Sequence, residues 1–456
     1  MRHPALRTWL LLLVATFVMI LALNFPGHLS VDSVMSLAEG RTGTRMSWSP
    51  PLHAAILGFF DRLQPGTGLY IAAVSLVLLG AWAALPALRP RIAWTGPLLL
   101  ALVMATPQVA IWQGIVWKDV LFANFAVAAF VALAVAGRWW AAAPARFGFL
   151  FLSGLLLAGA ALVRQNGLIV IPFAGFALAW IAARSGSRRP AIWGLAGVIA
   201  PLVLMAGLNA VTPPLAPPPP PKNPASIKKN PGLRSVQHYD LAAALAADPT
   251  RPLVIERTRP KAAAELRQIA PKIYSPVRSD TLNASVAFGQ AAWSVNDAAM
   301  NAEWRSLILS DPAGYVARRL AIFQWVFAAP DIDQCLPVFV GVEGPALQLS
   351  QAGLHPRHSA TDGKLYNYAT WFFDTPAMSH VAFAALALVV GLLLLIRREP
   401  PDLAVAGMLA AALAFAATFA VISLACDYRY LYFLDLAAIS GSLYLAIDPR
   451  LRRSRR

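Results

Sequence analysis

The stretch VLFANFAVAAFVALAVA at residues 120–136 contains no charged side chain, and Lys118-Asp119 and Arg138 flank it. An apolar run of this length between charged residues is typical of a helix that crosses a lipid bilayer. Comparable runs occupy residues 8–24, 69–88, 92–112, 147–163, 168–183, 190–211, 378–396, 403–425 and 430–447. The sequence therefore predicts an all-α polytopic membrane protein with about ten transmembrane helices.

The composition supports the same fold class. Of the 456 residues, 58% are hydrophobic and 13% are charged, whereas a soluble domain carries about 25% charged residues. The net charge of +16 arises from basic residues that flank the apolar runs, where they set topology and meet anionic lipid. The lipid bilayer is thus a predicted partner. No nucleic-acid partner is predicted, because no basic helix is interleaved with exposed aromatic side chains.

Basic residues also predict the orientation of the chain. Arg2 and Arg7 place the N-terminus in the cytoplasm. Alternation of ten helices then puts five further Arg-containing segments inside, at residues 89–91, 138–146, 184–189, 397–402 and 450–456. No small-x-small cleavage site follows the first run, so we expect a retained helix rather than a signal peptide. Both termini are predicted to be cytoplasmic, and the high Ala, Leu and Arg content suggests a bacterial inner (plasma) membrane.

Three segments are predicted from this topology. Residues 1–211 form an N-terminal membrane domain with seven helices and a first outer loop at 25–68. Residues 212–377 form an extracytoplasmic, periplasmic or extracellular, loop domain. Residues 378–456 form a C-terminal membrane segment with three helices.

Both long outer segments contain predicted helices. In the first loop, Ser49 to Leu63 is apolar but short, which favours a helix lying in the membrane interface. The loop domain opens on a proline tract, Pro213-Pro214 and Pro217 to Pro221, which predicts a stiff spacer. Helical patterns follow at residues 238–248, 260–269, 287–309 and 312–329.

The last of these patterns has two further features. Asp311-Pro312 is typical of an N-cap followed by proline in the first turn. Val316, Leu320, Phe323 and Phe327 lie on one stripe of that helix, which predicts that it packs against the membrane domain or lies on lipid.

Charged residues collect at the predicted outer ends of the membrane helices. These residues are Asp32, Glu39, Lys118, Asp119, Arg164, Asp427 and Arg429. Since charge inside a bilayer is costly, this placement predicts a polar site at the outer membrane boundary. A carboxylate there would accept a proton from an acceptor hydroxyl, and the cations would neutralise a departing phosphate. The pattern thus indicates glycosyl transfer from a polyprenyl-phosphate-linked sugar donor.

Several short motifs lie in this boundary region. Phe25 to Leu57 reads FPGHLSVDSVMSLAEGRTGTRMSWSPPLHAAIL, with Asp32 just after the first helix, a small-residue stretch at Ala38 to Gly40, then Trp48 and Pro50-Pro51-Leu52. WKDVLF at 117–122, LVRQNG at 162–167 and DYRYLYFLDL at 427–436 follow in order. Together these pieces resemble the GT-C superfamily of integral membrane glycosyltransferases, which includes protein O-mannosyltransferases and the enzyme that adds aminoarabinose to lipid A.

The resemblance implies a role for each boundary residue. Asp32 would be the general base of an inverting transfer, while Arg429, with Arg164 or Lys118, would hold the lipid phosphate. The residues expected to bind the acceptor or to support the site are Asp119, Glu39, His53 and Asp427. The acceptor would be a lipid, a polysaccharide or a protein.

The sequence departs from the family pattern at two positions. Ser33 stands where many relatives have Glu, and Ser49 stands beside the Pro-Pro where some have an acid or Lys. A metal site shared with metal-using relatives is thereby in doubt. We predict no cofactor and no required metal, although a divalent ion remains compatible with the sequence.

Other interpretations of these residues stay open. Asp32 alternatively caps a helix, while Lys118, Arg164 and Arg429 alternatively anchor helices at the interface. His28, His53 and Glu39 alternatively serve as local hydrogen-bonding partners, and Asp435 alternatively pairs with a neighbouring helix. Cys335 and Cys426 both fall in the predicted outer compartment, where they either form a disulfide or stay as two buried thiols.

Three other functions compete with glycosyl transfer. One is a transporter or flippase of envelope lipids or glycans, which would show broken helices or charges near the bilayer midplane. Another is an oligosaccharide polymerase or ligase, in which Arg318 and Arg319 of the outer loop would matter more than Asp32. The last is a non-enzymatic envelope scaffold.

Overall fold

The computed structural model describes residues 4–47, 49–217 and 231–451. Trp48 of the first-loop motif and Pro218 to Pro221 of the proline tract lie outside the described residues. Throughout the described ranges the chain forms α-helices and short 3₁₀-helices, with isolated β-bridges and no strand. The predicted all-α polytopic membrane fold is confirmed.

Nine helices of the described chain are long and apolar enough to cross a membrane. They are Pro4–Asn24, Gly68–Leu88, Lys118–Arg138, Ala143–Val163, Gln165–Arg184, Pro190–Val211, His380–Arg397, Pro400–Ile422 and Tyr428–Ile447. Each matches one of the predicted runs.

The remaining predicted run, 92–112, is broken. It folds as Thr95–Val103 and Pro107–Gly114, bent by 70°, so a tenth span exists only if this pair is counted as one. Proline has no N–H and pushes the residue before it out of the helical region. Thr106, directly before Pro107, is extended with ψ 149°.

The chain divides into two compact units. The first contains Met1–Ala216, Val338–Ala416 and Arg429–Arg456, and the second contains Pro217–Pro337 and Ala417–Tyr428. Residues 338–377, which the sequence grouped with the loop domain, thus belong to the same compact unit as most of the membrane helices.

Ten α-helices precede the second unit. In chain order they are α1 (Pro4–Asn24), α2 (Val31–Thr42), α3 (Pro51–Leu63), α4 (Gly68–Ala84), α5 (Thr95–Val103), α6 (Pro107–Ala110), α7 (Lys118–Arg138), α8 (Ala143–Val163), α9 (Val170–Arg184) and α10 (Pro190–Val211).

In residues 231–451 the second unit and the C-terminal part contain eleven further helices. The second unit has α11 (Pro231–Ala247), α12 (Pro260–Ile273), α13 (Asp280–Ala284), α14 (Val286–Ser294), α15 (Asp297–Ser310) and α16 (Pro312–Ala328). Then come α17 (Ala346–Gln351), α18 (Ala360–Thr370), α19 (His380–Arg397), α20 (Pro400–Ile422) and α21 (Tyr432–Ile447).

The first outer loop is a pair of short helices in close contact. Helix α3 forms where the sequence predicted an interfacial helix, with Pro51 in its first turn. Helices α2 and α3 touch at Gly40 and Gly58, where a Cβ on Gly40 would lie 2.5 Å from the Ala54 carbonyl oxygen. Arg41 of α2 donates from Nε to Asp61 of α3 at 2.8 Å. The contact therefore fixes the helix that carries Asp32.

A buried ionic network, here called the Arg89 network, joins the helix ends opposite to Asp32. Its charged members are Arg89, Arg397, Glu399, Asp402, Asp448 and Arg450. Arg397 donates to both oxygens of Asp402 at 2.7–3.0 Å, and the Tyr444 hydroxyl donates to the same carboxylate at 2.6 Å. Asp402 is completely buried, so these donors satisfy a carboxylate that water does not reach.

In the second unit, apolar side chains of α11 to α16 form a single core. The predicted helix 287–309 is wrong in one respect: it is two helices, α14 and α15. The Asn296 side chain accepts from the Ala299 N–H and caps α15, so a new helix begins where the pattern suggested continuity. Asp311 caps α16 as predicted, accepting from Gly314 N–H.

Cys335 and Cys426 form a disulfide in the second unit. The bridge decides between the two interpretations that the sequence left open. Both cysteines of the chain are used in it.

Candidate active site

Asp32 lies in the first turn of α2, at one end of the membrane helices. Its side chain is 41% exposed, and Arg429 Nη2 is 2.7 Å from its Oδ2. The Ser30 side chain makes no N-cap bond, and Asp32 itself pairs with a cation supplied by a segment almost 400 residues away. The carboxylate is thus both paired and accessible.

Two aromatic rings and a second carboxylate surround Arg429. Its guanidinium carbon lies 5.0 Å from the centre of the Trp117 ring and 5.9 Å from that of Tyr430. Its Nε lies 3.9 Å from Asp119 Oδ2. Cation–π contacts of this kind hold a guanidinium in place without neutralising it.

Asp119 connects Arg429 with Arg164. The Arg164 guanidinium pairs with Asp119 Oδ1, and it lies 5.3 Å from the Phe415 ring and 5.5 Å from the Tyr430 ring. Asp119 is only 2% exposed. It therefore lies between the two guanidiniums and is shielded from solvent.

Lys118 completes the cluster. It begins α7, and its Nζ donates to Ser49 Oγ at 3.0 Å. The structure thus brings Asp32, Lys118, Asp119, Arg164 and Arg429 together, as two carboxylates and three cations. We call these five residues the Asp32 cluster. Its excess of one positive charge suits an anionic ligand.

The charge on Asp32 follows from these neighbours. Burial raises the pKa of Asp32, but Arg429 and Lys118 lower it, and the net result is a pKa below the ordinary value for aspartate. Asp32 is consequently ionised at neutral pH and able to accept a hydrogen bond from a hydroxyl.

His53 lies on α3 and is buried. Its Nε2 is 3.2 Å from the Tyr70 hydroxyl. Burial lowers the pKa of His53 to about 3, and Lys118 adds to the effect. The structure thus shows a neutral imidazole beside a buried tyrosine, and a role of His53 in supporting the site stays a prediction.

Glu39 is on the same helix as Asp32 but binds a different part of the loop. It is fully buried, and its Oε1 accepts from the N–H groups of Met46 at 2.8 Å and Ser47 at 2.6 Å. These bonds hold the turn between α2 and α3.

Asp427, the last predicted supporting residue, is buried and belongs to the second unit.

Sequence reasoning missed the residues that hold this cluster in shape. The Trp117 indole N–H donates to Ser30 Oγ at 2.8 Å, and Ser33 Oγ donates to the Val116 carbonyl at 2.6 Å. The backbone of His28 bonds to Gly114 and Val116. The WKD motif contains Trp117, so the sequence offered a signal for that residue. No local pattern indicated Phe415, because its contact with Arg164 joins two segments that are distant in the sequence.

The described residues contain no group of three His, Cys, Asp or Glu side chains placed to hold a metal ion. Metal independence stays a prediction.

Comparison with solved structures gives two similar chains, both from Archaeoglobus fulgidus. One is the oligosaccharyltransferase in the apo form, with a TM-score of 0.43, 13% identity, and coverage of 96% of this chain and 50% of that chain. The other is archaeal oligosaccharyltransferase AglB in complex with an inhibitory peptide and a dolichol-phosphate, with a TM-score of 0.42 and the same identity and coverage.

The chain spans about half the length of these two proteins. No protein-family model matches the chain. No curated protein matches it either.

Proposed function

We propose that this protein is a GT-C-type glycosyltransferase that moves a sugar from a polyprenyl-phosphate-linked donor to an acceptor hydroxyl at the outer face of the membrane. The observation that carries the proposal is the Asp32 cluster, in which an accessible, ionised carboxylate lies beside three cations. A base and an anion-binding group at one membrane boundary are the two parts that this reaction needs.

The reaction would proceed in one displacement. The acceptor oxygen forms a bond to the anomeric carbon of the sugar while the bond from that carbon to the phosphate oxygen breaks. The acceptor proton goes to Asp32, and the electron pair stays on the polyprenyl phosphate. Attack on the face opposite the phosphate inverts the anomeric centre.

Arg429 would change partners in this reaction. In the structure its guanidinium neutralises Asp32 at 2.7 Å. A phosphate carries more negative charge and offers two oxygens to the planar guanidinium, so a bound donor draws Arg429 away from Asp32. Asp32 then becomes a stronger base at the moment when the donor is in place.

Arg164 and Lys118 extend the phosphate site. Arg164 is held beside Arg429 by Asp119, so two guanidiniums are aligned before a ligand arrives. Lys118 adds a single-point cation next to Asp32. We propose that the three cations bind the phosphate and that Asp119 positions two of them, with no required metal.

The remaining parts of the proposal concern the surroundings. The acceptor is a lipid, a polysaccharide or a protein hydroxyl. The membrane is the bacterial inner membrane, with both termini in the cytoplasm and the second unit outside, in line with the Arg-rich loops of the sequence.

A transporter is the second candidate, and two observations favour it. His380 Nδ1 and Asp435 Oδ1 lie 2.8 Å apart, and both side chains are completely shielded from solvent inside the membrane helices. The helices Thr95–Val103 and Pro107–Gly114 are bent by 70° at a short break, as in a broken span or a re-entrant loop. Buried titratable pairs and broken helices are features of transporters.

The polymerase or ligase interpretation finds less support. Arg319 is 4% exposed and donates to Asp240 at 2.7 Å and to the Ser423 carbonyl at 2.9 Å. Arg318 pairs with Asp311 at 3.2 Å. Both arginines thus have structural partners in the second unit.

Mass spectrometry of envelope glycans tests the proposal. The strains compared are a deletion and complements carrying wild type, Asp32→Asn, Asp435→Asn or Glu343→Gln at equal expression. Deletion is expected to remove one sugar from one envelope molecule, and Asp32→Asn is expected not to restore it. Glu343→Gln removes an exposed carboxylate of the same unit and should restore it fully.

The variants also separate the two candidates. Full restoration by Asp32→Asn together with failure of Asp435→Asn contradicts the transferase and favours the transporter. The mass that disappears on deletion identifies both the sugar and the acceptor.

A further inference from the structure

Helix α16 presents an exposed face that is almost entirely apolar. Its exposed residues are Pro312, Ala313, Val316, Ala317, Leu320, Ala321, Gln324 and Ala328. Val316 and Leu320 are each 53% exposed, and Gln324 is the one polar member of this set. A helix face in water ordinarily carries charged side chains, so this composition is that of a surface that meets an apolar phase.

The charges of α16 are neutralised on its other sides. Arg319 is buried against Asp240 and the Ser423 carbonyl, and Arg318 pairs with Asp311 at the start of the helix. Ile322 and Val326 are buried with Arg319. The polar groups are thus directed into the second unit and away from the exposed face.

Two connections fix α16 to the end of a membrane helix. Arg319 bonds to Ser423, the residue directly after α20. A few residues further along, the Cys335–Cys426 disulfide joins the segment after α16 to the same end of α20. The last turns of α20 belong to the second unit, and Val421 and Ile422 there are 58% and 39% exposed.

We propose that the exposed apolar face of α16 lies in the surface of the bilayer at this end of α20, as a monotopic membrane contact. Helix α20 is long and apolar enough to span the membrane, so its last turns meet the boundary between acyl chains and headgroups. A helix attached there with one uncharged apolar face inserts that face into the same boundary.

The occupant of the face is lipid rather than a partner protein. The exposed side chains of α20 at this end are Ala417, Val421 and Ile422, which are all apolar, and the α16 face is carried on the same compact unit. This inference does not depend on which reaction the protein catalyses.

Site-directed spin labelling tests the contact in the full chain. Both native cysteines are in the disulfide, so a single new cysteine can be labelled without removing any other. Leu320→Cys and Ala317→Cys report on the apolar face, and Lys261→Cys, at an exposed position of α12 in the same unit, is the matched control. The protein is reconstituted in vesicles of phosphatidylethanolamine and phosphatidylglycerol.

The readout is collision of the label with oxygen, which concentrates in lipid, and with a water-soluble nickel chelate. Labels at 317 and 320 are expected to show a several-fold higher oxygen-to-nickel collision ratio than the label at 261. An equal ratio at all three positions overturns the inference, because the face is then in water. Shielding of 317 and 320 from both reagents also overturns it, because a protein surface then covers the face.

Discussion

The two ends of the membrane helices of the first unit carry ionic clusters of similar composition but different exposure. In the Arg89 network three arginines face three carboxylates, with Arg89 and Asp448 both 3% exposed and Asp402 fully buried. In the Asp32 cluster three cations face two carboxylates, and Asp32 is 41% exposed. The first cluster is balanced in charge and buried at its centre, with Glu399 and Arg450 at an exposed edge, and we call it the closed network. The second cluster has a cation in excess and an exposed carboxylate, and we call it the open cluster.

This difference separates stabilisation from ligand binding. A buried pair that loses one partner leaves a charge without water or counterion, so its removal costs stability. An exposed pair contributes little to stability, because water replaces the lost partner. The comparison therefore predicts that mutations at the two ends change different measurements.

The largest effect is expected when the closed network is broken. Arg89→Ala removes one cationic partner from each of Glu399, Asp402 and Asp448. The change should reduce the free energy of unfolding by about 3–5 kcal/mol. The apparent melting temperature in detergent measures this loss. Arg91→Ala, two residues away and exposed, is the control and should change stability by less than about 0.5 kcal/mol. Equal melting of the two variants would contradict a structural role for the network.

The open cluster should respond in the opposite way. Under the proposed function, Arg429→Ala removes a group that neutralises the departing phosphate and is expected to lower the transfer rate about 10²- to 10³-fold. The loss of stability should be smaller than for Arg89→Ala, because Asp32 is exposed to water and Asp119 keeps Arg164 as a partner. Initial rates with the lipid-linked sugar, after the envelope comparison has identified it, measure the loss. Arg257→Ala, an exposed arginine of the second unit, should keep the full rate. If Arg429→Ala unfolds more readily but its folded molecules keep the full transfer rate, Arg429 stabilises the fold and does not bind the donor.

Acid should weaken the open end through its buried histidines. Burial lowers the pKa of His53 to about 3 and that of His28 to about 4, from 6.5. The unfolded chain therefore binds more protons than the folded one below pH 6.5, and stability falls as the pH drops from 6.5 toward 4, by about 1 kcal/mol per pH unit for each histidine.

Melting curves across this pH window check the effect. His53→Gln should make the dependence on pH shallower, whereas His355→Gln, at an exposed position, should leave it unchanged. A wild-type melting temperature that is flat between pH 6.5 and 4 would show that these imidazoles are not held neutral.

The smallest expected effect concerns the exchange of partners by Arg429. Asp32→Asn removes the ion pair between Arg429 and Asp32 and should raise the affinity for a polyprenyl phosphate without sugar by a few-fold, or about 1 kcal/mol at most. The same change is expected to stop transfer. Binding of a fluorescent polyprenyl phosphate in micelles measures the affinity, with Glu343→Gln as the control. Unchanged or weaker binding by Asp32→Asn would mean that the phosphate does not compete with Asp32 for Arg429.

Much of the fold was predictable from the sequence because a membrane helix needs little more than apolar length. Within the described part of the chain, all nine unbroken membrane helices follow from such runs. The break at Pro107 was marked by a proline, but an apolar run continues through it, so composition alone did not reveal the 70° bend. The division of 287–309 depends on one capping side chain, Asn296.

For the candidate site, the sequence predicted which residues share one membrane boundary but not how they meet. Topology placed Asp32, Lys118, Arg164 and Arg429 on the same side, and the structure joins them. The sequence did not predict that Asp119 aligns two arginines, or that Glu39 binds the backbone of a turn. Those roles arise from contacts between distant segments, which no local spacing encodes.

The contact of Gly40 with Gly58 determines how this protein can be re-engineered. Because the backbones of α2 and α3 touch there, any larger side chain at either position would push apart the two helices that carry Asp32 and His53. A randomised library should therefore return glycine at both positions whatever the substrate used for selection. Variation aimed at a new acceptor belongs instead in the turn from Thr44 to Ser47, where Glu39 binds backbone N–H groups and the side chains can change without moving Asp32. Gly43 has φ +67° and should also stay glycine.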